Sequence, residues 1–128
     1  MQKRVLLIDD DSEDHEVFIE QLSKYNADIK VISAFNGKQG LELLSAHDPT
    51  WIFLDINMPG MNGMDVLKKI KETKTGKNIP VIMYSTSDGY NSKHIALELG
   101  ATDYVRKPNT ENGYVRIFRQ ILSEPKTG

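Results

Sequence analysis

The chain is expected to fold as an α/β domain built on a five-stranded parallel sheet with helices on both faces. Three observations lead there. Continuous apolar runs at residues 5–8, 51–54 and 79–84 have the character of strands buried on both sides. Stretches with helical spacing of apolar residues alternate with these runs. The connections are short and rich in Gly, Pro, Asn and Asp, as right-handed βαβ units require.

Taken in order, the first strand (Val5, Leu6, Leu7, Ile8) ends in Asp9, Asp10 and Asp11. Asp11 or Ser12 can cap the helix that follows, and Glu13 and Asp14 suit its first turn. That helix should run to about Tyr25, with Phe18, Leu22 and Tyr25 at i, i+4 and i+7 and with Val17 and Ile19 beside that stripe. Residues 28–35 alternate in their first half and read as a strand nearer the sheet edge. Asn36 and Gly37 break the chain before a helix to about Ala46, with Leu41 and Leu44 inward. His47, Asp48 and Pro49 stop it, because the residue before a proline disfavours helix.

The third strand, Trp51, Ile52, Phe53 and Leu54, runs into Asp55 and a loop containing Pro59, Gly60 and Gly63. An amphipathic helix from Met64 to about Thr73 follows, with Val66, Leu67 and Ile70 on its apolar side. Residues 74–78 form a polar turn. The fourth strand, 79–84, tolerates Pro80 near its start and delivers Ser85 and Thr86. A helix from about Asn91 to Leu99 ends at Gly100, and a last strand at 102–106 ends at Lys107 and Pro108. The final helix spans 110 to about 122, with Val115, Phe118 (or Ile117), Ile121 and Leu122 inward. Residues 1–123 are thus read as one domain, with 124–128 a short flexible tail and no output domain.

Composition narrows the function. A net charge of −2 offers no basic field for nucleic acid, and the absence of Cys removes disulfides and thiolate zinc sites. No run reaches the length of a membrane span and the apolar start is too short for a signal peptide, so a cytoplasmic location is expected. His15, His47 and His94 are read as surface residues that are neither ligands nor phosphate donors.

A parallel sheet brings the carboxyl ends of its strands to one edge, where open α/β sheets bind ligands. That edge receives Asp9, Asp10, Asp11, Asp55, Ser85, Thr86 and Lys107. Clustered carboxylates repel one another unless a cation relieves them. Oxygen ligands alone favour magnesium, or manganese, over zinc. A site of Asp10, Asp55 and a loop carbonyl would leave coordination positions for substrate oxygens. A carboxylate can also be a covalent nucleophile towards phosphorus. Lys107 and the Ser85 hydroxyl would then stabilise the transferring group.

Four segments together resemble the receiver domain of two-component response regulators, of the stand-alone type. They are residues 6–10 (Leu-Leu-Ile-Asp-Asp), 54–63 (Leu-Asp-Ile-Asn-Met-Pro-Gly-Met-Asn-Gly), 83–85 (Met-Tyr-Ser) and 100–108 (Gly-Ala-Thr-Asp-Tyr-Val-Arg-Lys-Pro). The resemblance implies a doubly wound, flavodoxin-like sheet of strand order 2-1-3-4-5. It implies that Asp55 accepts phosphate from a sensor histidine kinase or histidine phosphotransfer protein. Asp10, Asp55 and the Asn57 main-chain carbonyl would bind Mg²⁺, with Asp9 acting through water. Ser85 and Lys107 would bind the phosphoryl group, Ser85 and Tyr104 would form the switch, and Asn57 and Ser87 would tune dephosphorylation. The Lys107–Pro108 bond would be cis. Asp11, a third acid after the usual pair, departs from the family pattern and is read as a surface or capping residue instead of a metal ligand.

The resemblance further implies a phosphoacceptor rather than an enzyme, signalling to a protein target through the fourth helix, fifth strand and fifth helix. Tyr90, Arg106, Tyr114 and Arg119 would make contacts there, and the donor would dock against the first helix and the loop after Pro108. Neither nucleic acid nor membrane is an expected partner, and the state is a monomer or a phosphorylation-dependent dimer. The alternatives are a receiver-fold adaptor that works without phosphorylation and an aspartyl-phosphate phosphohydrolase. The hydrolase wants a second Asp two residues after the nucleophile, where this chain has Asn57. A flavin-binding protein would want a phosphate loop where Asp9, Asp10 and Asp11 stand.

Overall fold

A computed structural model describes residues 2–58, 60, 62–86 and 90–122. Five parallel strands, β1 (Arg4–Ile8), β2 (Lys30–Ala34), β3 (Trp51–Asp55), β4 (Val81–Ser85) and β5 (Asp103–Arg106), pair in the order 2-1-3-4-5. They alternate with α1 (Ser12–Tyr25), α2 (Gly37–His47), α3 (Gly63–Glu72), α4 (Tyr90–Glu98) and α5 (Glu111–Leu122). The polar turn before β4 is a single 3-10 turn, Gly76–Asn78. The expected sheet order and the edge position of the second strand are both present.

Strand alternation divides the core into two. Leu6, Ile8, Ile52, Leu54, Val81, Met83 and Tyr104 pack towards α2, α3 and α4. Val5, Leu7, Trp51, Phe53, Ile82 and Tyr84 pack towards α1 and α5, where Phe18 and Phe118 meet edge to face at 5.3 Å. A strand presents alternate residues to one face, so both sides of β1 and β3 are apolar because both are covered.

Local signals fix the connections. The Asp11 side chain accepts from Glu13 N and caps α1, and the Asn36 and Asn62 side chains cap α2 and α3 in the same way. Asp48 adopts φ 48 at the end of α2, just before Pro49. Gly100, at φ 105, closes α4. Gly63 is required for close approach instead, since a Cβ there would lie 2.5 Å from the Asp55 carbonyl oxygen. Its own amide bonds Ile56 O at 2.6 Å, so α3 begins almost in contact with the main chain of the Asp55 loop.

Four expectations are corrected. His15 is buried, because residues 15, 18, 22 and 25 fall on one stripe of α1 and bring the imidazole inward with Phe18 and Leu22. Val17 and Ile19 lie off that stripe and are exposed. Tyr114 is a core residue and not a surface contact: Tyr114, Phe118 and Leu122 form the buried line of α5, and Tyr114 hydrogen-bonds Tyr84. Val115, Ile117 and Ile121 flank that line, half-buried. No cis peptide occurs among the described residues, so Lys107–Pro108 is trans. Trans is the intrinsically favoured isomer, and in that form the Lys107 amide bonds Ser85 O at 2.6 Å. Residues 124–128 and Ser87 lie outside the described residues, as does the Tyr90 side chain.

Candidate functional site

The carboxyl edge of the sheet gathers the charged residues that the sequence sends there. Asp9 follows β1 directly and is fully buried, and Asp55 ends β3 with 5% exposure. Asp10 is exposed beside them. The three offer carboxylate oxygens that lie within 4.8 Å of one another. Lys107, just after β5, reaches across the edge. Its Nζ stands 2.8 Å from Asp9 Oδ2, 2.7 Å from Asp14 Oδ2 and 3.8 Å from Asp55 Oδ2. It also lies 5.5 Å over the Tyr84 ring.

Main-chain donors complete the pattern. Asp11 N donates to Asp9 Oδ1 at 3.0 Å, and Asn57 N donates to Asp55 Oδ1 at 3.4 Å. Ser85 is buried at the end of β4, one residue beyond Tyr84, which stands in register with Asp55. Asn57 is exposed in the loop after β3. Tyr104 is not at this edge; it packs in the core facing α2, α3 and α4, paired in register with Met83.

Electrostatics follow from this geometry. Burial pushes the Asp55 carboxyl up to about 6; Lys107 pulls it down, while the Asp9 and Asp10 charges push it further up. Burial would lower the Lys107 ammonium, but its hydrogen bonds to Asp14 and Asp9 outweigh that and hold it above its ordinary value. Burial raises the Tyr84 hydroxyl, and its bond to Tyr114 adds to the shift. The acidic cluster therefore carries more negative charge than its one ammonium relieves. Three oxygen donors with surplus charge and no nitrogen or sulfur ligand suit a hard divalent cation such as Mg²⁺.

Sequence reasoning leaves two residues of this edge unassigned. Asp14 suits the first turn of α1, yet it is the nearest partner of Lys107. Its signal is position: it lies one helical turn beyond Asp10 and Asp11, on the helix that starts at the acidic edge. His15 places Nε2 at 2.7 Å from the Asp9 carbonyl and Nδ1 at 3.0 Å from Ser33 Oγ, with its ring 4.3 Å from that of Phe35. A carbonyl only accepts, so Nε2 carries the proton. His15 thereby ties the end of β1 to β2. An open cleft of about 590 Å³ adjoins the site, lined by Asp14, Thr86, Lys107, Pro108 and Asn109 among others. No helix among the described residues is long and apolar enough to cross a membrane.

The chain resembles known proteins in sequence and in fold. Residues 5–119 match the family model described as response regulator receiver domain. The sensory transduction protein LytT of Oceanobacillus iheyensis is 36% identical over 129 residues, covering 98% of this chain and 52% of LytT. The chain spans about half the length of the curated relatives it matches. Among solved structures, the Vibrio cholerae chemotaxis protein CheY4 superposes with a TM-score of 0.85 at 23% identity, covering 94% of this chain and 99% of CheY4. The phosphorylated cyanobacterial phytochrome response regulator RcpA gives a TM-score of 0.84 at 26% identity, covering 96% of each chain.

Proposed function

This chain belongs to the response regulator receiver domain family, and from that premise we propose that it accepts a phosphoryl group on Asp55 and signals by the change that follows. The observation that carries the reading is the convergence of Asp9, Asp10, Asp55 and Lys107 at one sheet edge, with Asp55 almost buried and short of positive charge. The phosphorylated state named for RcpA supports the same chemistry.

The donor is a phosphohistidine of a sensor kinase or phosphotransfer protein, which enters through the cleft beside Lys107. An Asp55 carboxylate oxygen attacks phosphorus as the phosphorus–nitrogen bond breaks, and the imidazole nitrogen keeps the bonding pair. A carboxylate needs no general base for this step. Asp10, Asp55 and the Asn57 main-chain carbonyl would hold Mg²⁺, with Asp9 acting through water. A bound cation supplies charge neutralisation for the carboxylates and the entering phosphoryl oxygens. Lys107 pairs with the phosphoryl group and the Ser85 hydroxyl donates to it. Ser85, drawn to the phosphate, and Tyr104, on the neighbouring strand, pass the change to the surface of α4, β5 and α5. Arg106 and Arg119 are exposed on that side. Such a domain biases an existing equilibrium between two conformations and turns over no substrate of its own.

Incubation with acetyl phosphate and Mg²⁺ followed by intact-mass measurement tests the reading. Wild type should gain one phosphoryl group, and neither Asp55→Ala nor wild type in excess chelator should gain any. An equal adduct on Asp55→Ala, or none on Mg²⁺-loaded wild type, would overturn it.

A further inference from the structure

The ammonium of Lys107 is closest not to Asp55 but to Asp14, at 2.7 Å against 3.8 Å. Asp9 takes its other short bond, at 2.8 Å. The two partners differ in what they can give up. Asp9 is fully buried and would keep its bond from the Asp11 amide but lose its cation if Lys107 departed. The Asp14 side chain retains 35% exposure, so water can replace the lysine. Asp14 sits on α1, a different element from the β3 end that carries Asp55.

We propose that Asp14 is a positioning residue that restrains Lys107 in the unmodified protein, competing with the phosphoryl group for the ammonium and so setting how readily the site is occupied. The inference rests on the phosphoacceptor reading and adds a regulator to that site. A contact made only in the unmodified state must be broken when the phosphoryl group arrives, so it weakens occupancy by its own strength. Asp14→Asn loses the charge with little change in volume and releases Lys107 towards Asp55.

The test is a double-mutant cycle read by titration with beryllofluoride, a phosphoryl mimic, in saturating Mg²⁺. Asp14→Asn should bind the mimic roughly fivefold tighter than wild type, the lower end of ordinary coupling between linked equilibria. In a Lys107→Ala background the same substitution should change nothing. An equal gain in both backgrounds would mean that mere removal of negative charge is responsible, and no gain in either would mean that Asp14 does not compete; both overturn the proposal. Because Lys107→Ala leaves Asp9 unpaired and can fail to fold, NMR of the lysine ammonium groups gives a second reading. The Lys107 signal should shift in Asp14→Asn, and an unchanged signal overturns the proposal. Wild type that binds neither the mimic nor a phosphoryl group defeats the phosphoacceptor reading itself, and this inference with it. Wild type that binds both while Asp14→Asn is unaltered defeats the inference alone.

Discussion

Asp55 is held in a state that opposes its own ionisation. Burial raises its carboxyl from 3.8 to about 6 in spite of Lys107. The folded protein thus holds this proton more tightly than the unfolded chain does. The linkage has a definite sign: stability falls as pH rises from about 4 to about 6, and the loss is complete above that range. Asp55→Asn removes the ionisable group. In chelator at pH 7.5 it should be more stable than wild type by roughly 1–3 kcal/mol, and the difference should close towards pH 4. Urea unfolding at both pH values checks this; an Asn variant no more stable than wild type at pH 7.5 contradicts it. Millimolar Mg²⁺ should raise the Tm of wild type at pH 7.5 and do so less below pH 6, where the proton competes for the same oxygens.

Much at this scale is legible from period two. Residues 5, 7 and 9, residues 51, 53 and 55, and residues 105 and 107 share strand parity, and the apolar members all face α1 and α5. Asp9, Asp55 and Lys107 therefore emerge on one side. His15 escapes a reading of the sequence because an imidazole suits surface and core alike. Only its spacing from Phe18 and Leu22 marks it as inward, and only tertiary structure brings it the Asp9 carbonyl and Ser33.

At the scale of the elements, α3 begins against the main chain of the site. Its first residue, Gly63, packs directly on the carbonyl of Asp55. Gly63→Ala would force a methyl group against main chain that cannot swing away. A loss of roughly 1–3 kcal/mol is expected, together with slower phosphoryl acceptance, because the Asp55 loop must shift. Thermal unfolding and adduct formation over time check the pair; an Ala variant normal in both respects would show that the loop yields freely. Asn62→Ala, which removes the α3 cap, should cost about 1 kcal/mol and leave the acceptance rate much less affected.

Helix ends are legible because their signals are local: Asp11, Asn36, Asp48 with Pro49, and Gly100. Phase is harder where a helix is apolar over a wide arc. In α5, Val115, Ile117, Phe118, Ile121 and Leu122 leave several inward faces open, and the choice falls to Tyr114, whose hydroxyl finds Tyr84. The isomer of Lys107–Pro108 is an expectation of resemblance, and no composition signal near it distinguishes the two forms. In α4, Ala96 is buried while Ile95 and Leu97 stand exposed, so this helix presents apolar surface within the proposed signalling face.

For the molecule as a whole, the sheet works as a frame with its chemistry at one edge. Order 2-1-3-4-5 places β1 beside β3 at the centre, which is why Asp9, Asp10 and Asp55 can share an ion. β4 and β5 lie to one side and bring Ser85 and Lys107. The alternation of strands and helices predicts such an edge, but the order of the strands comes from resemblance alone, because apolar runs do not record their neighbours. In the proposed reading a charge added at Asp55 acts first on Lys107 and Ser85, which stand just after β5 and at the end of β4, the strands that lead to α5 and α4.

The most direct measurement is to locate the phosphoryl group chemically. Protein treated with acetyl phosphate and Mg²⁺ is reduced with borohydride, which converts an aspartyl phosphate to homoserine, and its peptides are then sequenced by mass spectrometry. Homoserine at position 55 and at no other is the expected result. Homoserine at 9, 10 or 14, or an adduct that survives reduction on another residue, would contradict the assignment of Asp55 as the acceptor.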